Sequence, residues 1–219
     1  MFLSSLVCDA PARAFVKNTK LHSGYYACEK CNTEGELIDS RMCFPETNAR
    51  PRTDESFRQM LDEEHHMGPN PLRRLTFGMV TQVPIDYRHL VCLGVVKRLI
   101  RLWRTCVNKS ARISLQEFRV VSGVLESLSS SLCKEFARSP RSLSEVARWK
   151  ATEFRTFLLY TGVVALHGNV PDAIYNNFLL LSCGIHILAN PKLCSSPRTS
   201  AAACELLLKF VAHYQQLFG

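Results

Sequence analysis

Residues 90–107, "LVCLGVVKRLIRLWRTCV", decide the fold class. Leu90, Val91, Val95, Leu99, Leu102 and Trp103 recur at the three-to-four-residue spacing that lines one face of a helix. Lys97, Arg98, Arg101 and Arg104 fall mostly on the other face. The pattern predicts an amphipathic helix with a basic outer side. Downstream, residues 114–137 repeat the helical period, with Ser114 as N-cap and Glu117 three residues later completing a capping box. Further helices are predicted over 143–160, 171–189 and 199–217. Upstream the pattern changes. Residues 21–88 carry no sustained apolar period and are rich in Gly, Pro, Asn, Arg and acid. Residues 1–20 read as a short apolar strand ending at Asp9, then a helix with Pro11 near its start. The expected class is therefore mainly α with a short β element at the beginning of the chain.

Composition supports a packed interior, with 47% hydrophobic residues over 219 positions. The formal charge of +8, from 27 Lys plus Arg against 19 Asp plus Glu, favours polyanionic partners. Most of the ten cysteines lie in apolar periodic segments (Cys92, Cys106, Cys133, Cys183, Cys204), which points to a reducing compartment rather than a disulfide scaffold. The first residues lack the basic segment and long apolar core of a signal peptide. The apolar run "FLLLSCGIHILA" (178–189) falls short of the roughly 20 residues a membrane span needs.

A 68-residue segment without periodicity needs something to hold it. Cys28 and Cys31, two residues apart in "ACEKC", could grip one tetrahedral metal ion. Asp86 and His89 in "DYRH" have the same gap and could supply the other half of a zinc site, with His22, Cys43, His65 and His66 as alternative partners. A turn holding two metal-free thiols explains the CxxC equally well. Asp9, just before a helix, reads on its own as an N-cap. Glu153 falls between Trp149 and Phe157 on one helical face, a place for a carboxylate that is paired or bound. Arg13, Lys17 and Lys20 share a face, as do the cations of 97–104, and either stripe could follow a phosphate backbone.

Taken together, "CDAPARAFVKNTKLHSGYYACEKC" (8–31), "TQVPIDYRHLVCLGVVKRLIRLW" (81–103) and "RWKATEFRTFLLYTG" (148–162) resemble the catalytic region of DDE transposases of the CACTA (En/Spm) superfamily. The resemblance spans nearly the whole chain. It implies part of an RNase H-like core in 1–20 and a large insertion over 21–142, with a zinc-stapled segment 21–89 followed by helices 90–137. Residues 143–219 would carry the last catalytic acid. It further implies that Asp9 and Glu153 are the second and third acids of a triad that holds Mg²⁺ for DNA strand cleavage and transfer. Cys28, Cys31, Asp86 and His89 would hold a structural Zn²⁺. Arg13, Lys17, Lys97, Arg98, Arg101 and Arg104 would contact DNA. The implied setting is nuclear, without membrane, with a homo-oligomer allowed. No acid precedes Asp9 and eight residues leave no room for the earlier core strands, so the expectation is a fragment inactive by itself. The alternative is a zinc-stabilised helical module that binds nucleic acid or protein without catalysis.

Overall fold

The computed structural model describes residues 4–72 and 74–219. The chain divides into two compact units, Met1–Tyr87 and Arg88–Gly219. Residues 90–137 and 143–219 both fall in the second unit.

The first unit has little regular structure. Helix α1 (Ala10–Lys17) starts at Asp9, whose carboxylate accepts the Ala12 N–H at 2.9 Å, and ends at Asn18 in the left-handed conformation. Strands β1 (Glu36–Ile38) and β2 (Arg41–Cys43) form an antiparallel hairpin. Its turn residues, Asp39 and Ser40, both have positive φ, as two-residue hairpin turns require. Helix α2 (Asp54–Arg58) is opened by a Thr53/Ser56 capping box. The β element expected at the beginning lies instead at 36–43. Residues 4–8 meet 82–85 through one parallel bridge, Cys8 to Ile85, and a bond from the Leu6 N–H to the Gln82 carbonyl, while the Gln82 side chain donates to the Ser4 carbonyl. An apolar run without neighbouring strands builds no sheet.

A small apolar cluster of Phe57, Phe77, Met79, Val80 and Val83 forms one core of this unit, with Leu6 and Leu72 against it. Buried polar side chains tie the remaining loops. Arg52 is 6% exposed, donates from Nε to the Cys28 carbonyl at 3.0 Å, and pairs with Asp62. Asp54 accepts the Val80 N–H at 2.6 Å and the Thr81 N–H at 3.0 Å. Asn70 donates to the Lys17 carbonyl and accepts from the Leu72 N–H. Lys30 Nζ reaches the carbonyls of Val80 and Val83. These contacts do the fastening that the sequence assigned to a metal ion, because long charged side chains can close loops wherever their heads meet backbone carbonyls or acids.

The second unit is helical. A π-helical stretch, Arg88–Val96, runs into α3 (Lys97–Thr105). Helix α4 (Leu115–Ser127) begins with the expected Ser114/Glu117 capping box, each side chain accepting the other's backbone N–H. It stops ten residues before the sequence-based boundary, where the Ser127 and Ser130 hydroxyls donate to the carbonyls of Val124 and Ser127. Residues 143–148 form a 3₁₀ segment, and Trp149 and Lys150 are extended. Only then does α5 (Ala151–Thr156) begin, continuing through the π-helical turn Phe157–Thr161 into α6 (Gly162–Leu166). Within the π-helical turn the Leu158 carbonyl accepts the Ser182 hydroxyl of α7 (Asp172–Ala189) at 2.7 Å. Helices α8 (Pro191–Cys194) and α9 (Pro197–Phe218) complete the unit. Its core is aromatic: Trp103, Phe157 and Phe178 meet edge-on or tilted at centroid distances of 5.4–6.4 Å, and Trp149 and Phe154 extend the cluster. Gly162 permits a close approach to α7, since a Cβ there would lie 2.7 Å from Phe178.

Candidate nucleic-acid interface

Helix α3 buries Leu99, Ile100 and Trp103, each about 1% exposed, and so is held rigidly from below. Turning those three inward turns Arg98, Arg101 and Arg104 outward, and all three are exposed. Lys97 is half-buried at the helix start. Two of the cations are further positioned: Arg98 Nε donates to the Tyr214 hydroxyl at 3.0 Å, and the Arg104 guanidinium stacks 4.6 Å from the centre of the Phe118 ring. Six residues at about 1.5 Å rise place Arg98 and Arg104 about 9 Å apart along the axis. That length covers two or three phosphates of one strand, which succeed one another every 3.4 Å or so along a duplex.

Charge separates the units sharply. The second holds 17 Lys plus Arg against 7 Asp plus Glu, a net +10, whereas the first holds 10 against 12, a net −2. The overall positive charge is thus a property of the helical unit alone.

The other expected DNA contacts lie differently. Arg13 is 6% exposed and donates to Glu29 at 3.0 Å and to the Cys8 carbonyl at 2.7 Å. Lys17 is fully buried, 3.2 Å from Glu29 and over the Phe57 ring at 5.0 Å; burial pulls its pKa down while Glu29 pushes it up. Neither side chain reaches the surface. Sequence periodicity placed them on a solvated face because Glu29, inside the CxxC turn, gave no signal as their partner.

The acids implied as catalytic have structural employment. Asp9 caps α1. Glu153 is 5% exposed, and its two carboxylate oxygens accept from Arg141 Nε at 2.6 Å, Arg141 Nη2 at 3.1 Å and the Lys150 N–H at 2.8 Å. Burial raises its carboxyl pKa, but those hydrogen bonds outweigh burial and hold it below the ordinary value. The paired-carboxylate reading of Glu153 fits these contacts. Asp9 belongs to the first unit and Glu153 to the second.

The metal expectations are corrected. Among the described residues, no three or more His, Cys, Asp or Glu side chains are gathered so as to hold a metal ion. This overturns both the Zn²⁺ and the Mg²⁺ assignments. Cys28 and Cys31 do converge, with sulfurs 3.3 Å apart in a thiol hydrogen bond, and burial raises the Cys31 thiol pKa. Two thiols are half of the four ligands a structural zinc site takes. Asp86 and His89 have interactions of their own and lie on opposite sides of the unit boundary. His22 is exposed, and Cys43 sits in the hairpin. His65, one of the alternative metal partners, is fully buried: its Nδ1–H donates to the Tyr26 carbonyl at 2.8 Å, and burial lowers its pKa to about 4.

No helix is long and apolar enough to cross a membrane among the described residues. Neither a family model nor a curated protein nor a solved structure matches the chain.

Proposed function

We propose that the chain is a nucleic-acid-binding module related to CACTA-type DNA transposases, which holds DNA through its helical unit and does not cleave it by itself. The observation that carries this reading is the α3 face: Lys97, Arg98, Arg101 and Arg104 on a helix anchored by Leu99, Ile100 and Trp103, in a unit of net +10. An anchored helix presents its cations at fixed spacing, so less side-chain and backbone freedom is lost when a phosphate backbone is bound. The motif resemblance supports DNA as the polyanion and a nuclear setting. In the same reading, residues 4–20 correspond to the edge of an RNase H-like core. Binding without cleavage follows from the use of Asp9 as a cap and of Glu153 as the partner of Arg141.

The test is charge reversal. Lys97→Glu/Arg101→Glu, with helicity and thermal unfolding unchanged, is expected to abolish duplex binding measured by fluorescence anisotropy. Unchanged affinity in that folded variant would remove α3 from the interface and the reading with it.

A further inference from the structure

The end of α3 and the loop that joins it to α4 bring three cations to one open recess. It is lined by Arg104, Lys109 and Arg112 together with Ser114, Glu117 and Pro171. A basic loop is ordinarily a solvated, mobile one, but this loop is pinned at several points. The Ile113 N–H donates to the Trp103 carbonyl at 2.8 Å, closing the loop onto α3. Asn108 caps the 3₁₀ turn Lys109–Ala111 through the Ser110 N–H, and its Nδ2 donates to the Leu217 carbonyl at 3.1 Å. Ala111 is fully buried against Cys106 and Leu217, and the Cys106 thiol donates to the Ala111 carbonyl. Arg104 is fixed by its stack on Phe118.

Resting on the DNA-binding reading above, we propose that this recess is a phosphate-binding site, at which Arg104, Lys109 and Arg112 together hold one backbone phosphate of the bound nucleic acid. Among the described residues, none of the three forms a salt bridge with a carboxylate. The one acid in the recess, Glu117, already accepts the Ser114 N–H at 2.6 Å. Three exposed cations that line one recess repel one another, and an oxyanion between them relieves that repulsion while accepting charge-assisted hydrogen bonds. Arg104 ends the α3 row, so the recess continues the track of Arg98 and Arg101 beyond the helix. The chemistry is that of a phosphate oxyanion, which a phosphodiester backbone or free phosphate could each supply.

The experiment compares wild type, Lys109→Gln/Arg112→Gln and a control, Lys192→Gln/Arg198→Gln, all as full chains. Binding to a mixed-sequence duplex is measured across salt concentrations, and inorganic phosphate is titrated separately with amide shifts of residues 104–118 as readout. The proposal expects the recess variant to lower the magnitude of the salt slope by about 0.9, for the one phosphate no longer neutralised, with the control unchanged. It also expects phosphate to shift recess amides in wild type and not in the recess variant. Duplex binding with a slope unaffected by the recess variant would overturn the recess while leaving the α3 reading. Phosphate shifts at the recess without duplex binding would support an oxyanion site there and overturn the DNA reading. Neither response would overturn both.

Discussion

Asp9 and Glu153 show how one residue type serves two readings until its partners are seen. Asp9 holds the first turn of α1, so Asp9→Ala is expected to cost about 0.5–2 kcal/mol in urea unfolding, whereas Asp9→Ser, another good cap, should lose almost none of that. A carboxylate needed for chemistry rather than capping would leave the two variants equally stable. Glu153 sits with its side chain 3% exposed against an Arg141 that is one-third exposed. Solvent at the arginine tempers the loss, and Glu153→Gln should cost about 2 kcal/mol. Its carboxyl is held below the ordinary value of 4.5, so its contribution is complete above that pH and lost as pH falls further. His65 acts earlier on the same axis. The folded chain keeps its imidazole neutral down to about pH 4, while the unfolded chain takes up a proton below about 6.5. Stability should therefore fall between pH 6.5 and 4 by up to about 3 kcal/mol, and His65→Gln should flatten that limb in urea titrations at pH 7, 6, 5 and 4.5. An equally steep limb in the variant would show that another group is responsible.

At the scale of elements, periodicity was a sound guide wherever a helix buries one face. The segments at 90–107, 171–189 and 199–217 match the helices found, and the Ser114 capping box stands as read. What periodicity could not reveal were register changes within a helical run. The π-helical turns at Arg88–Val96 and Phe157–Thr161, and the break at Trp149 and Lys150, answer to packing with other helices, not to local spacing. The break also removes Trp149 from the helical face on which Glu153 was placed. Nor could spacing reveal that Arg52, Asp54, Lys30 and Glu29 fasten the first unit, since each acts on residues more than ten positions away. Packing further separates two helical glycines that look alike in sequence. A Cβ at Gly162 would lie 2.5 Å from the Phe157 carbonyl and 2.7 Å from Phe178, whereas one at Gly123 meets nothing within 4 Å. Gly162→Ala should destabilise by about 1–3 kcal/mol and Gly123→Ala should stabilise by about 0.5–1 kcal/mol, both read from thermal unfolding. Equal effects would mean that α6 does not approach α7 as closely as described.

Across the whole molecule, the uneven charge governs the function proposed. On that proposal the net +10 helical unit takes the polyanion, while the net −2 unit is held by internal ion pairs. The sequence announced the total charge and the α3 stripe, but not that Arg13 and Lys17 turn inward, and not that the short stretch "NKSARI" (108–113) is pinned into a rigid basic loop. Asn108 and Ser114, capping residues on either side of that stretch, were the available signal. The measurement that tests the central claim most directly is the salt dependence of duplex DNA binding by the unmodified full chain. With the two or three phosphates that α3 spans engaged, the slope of log affinity against log salt should be about −1.8 or steeper. A slope near zero, or no binding at low salt, would contradict it.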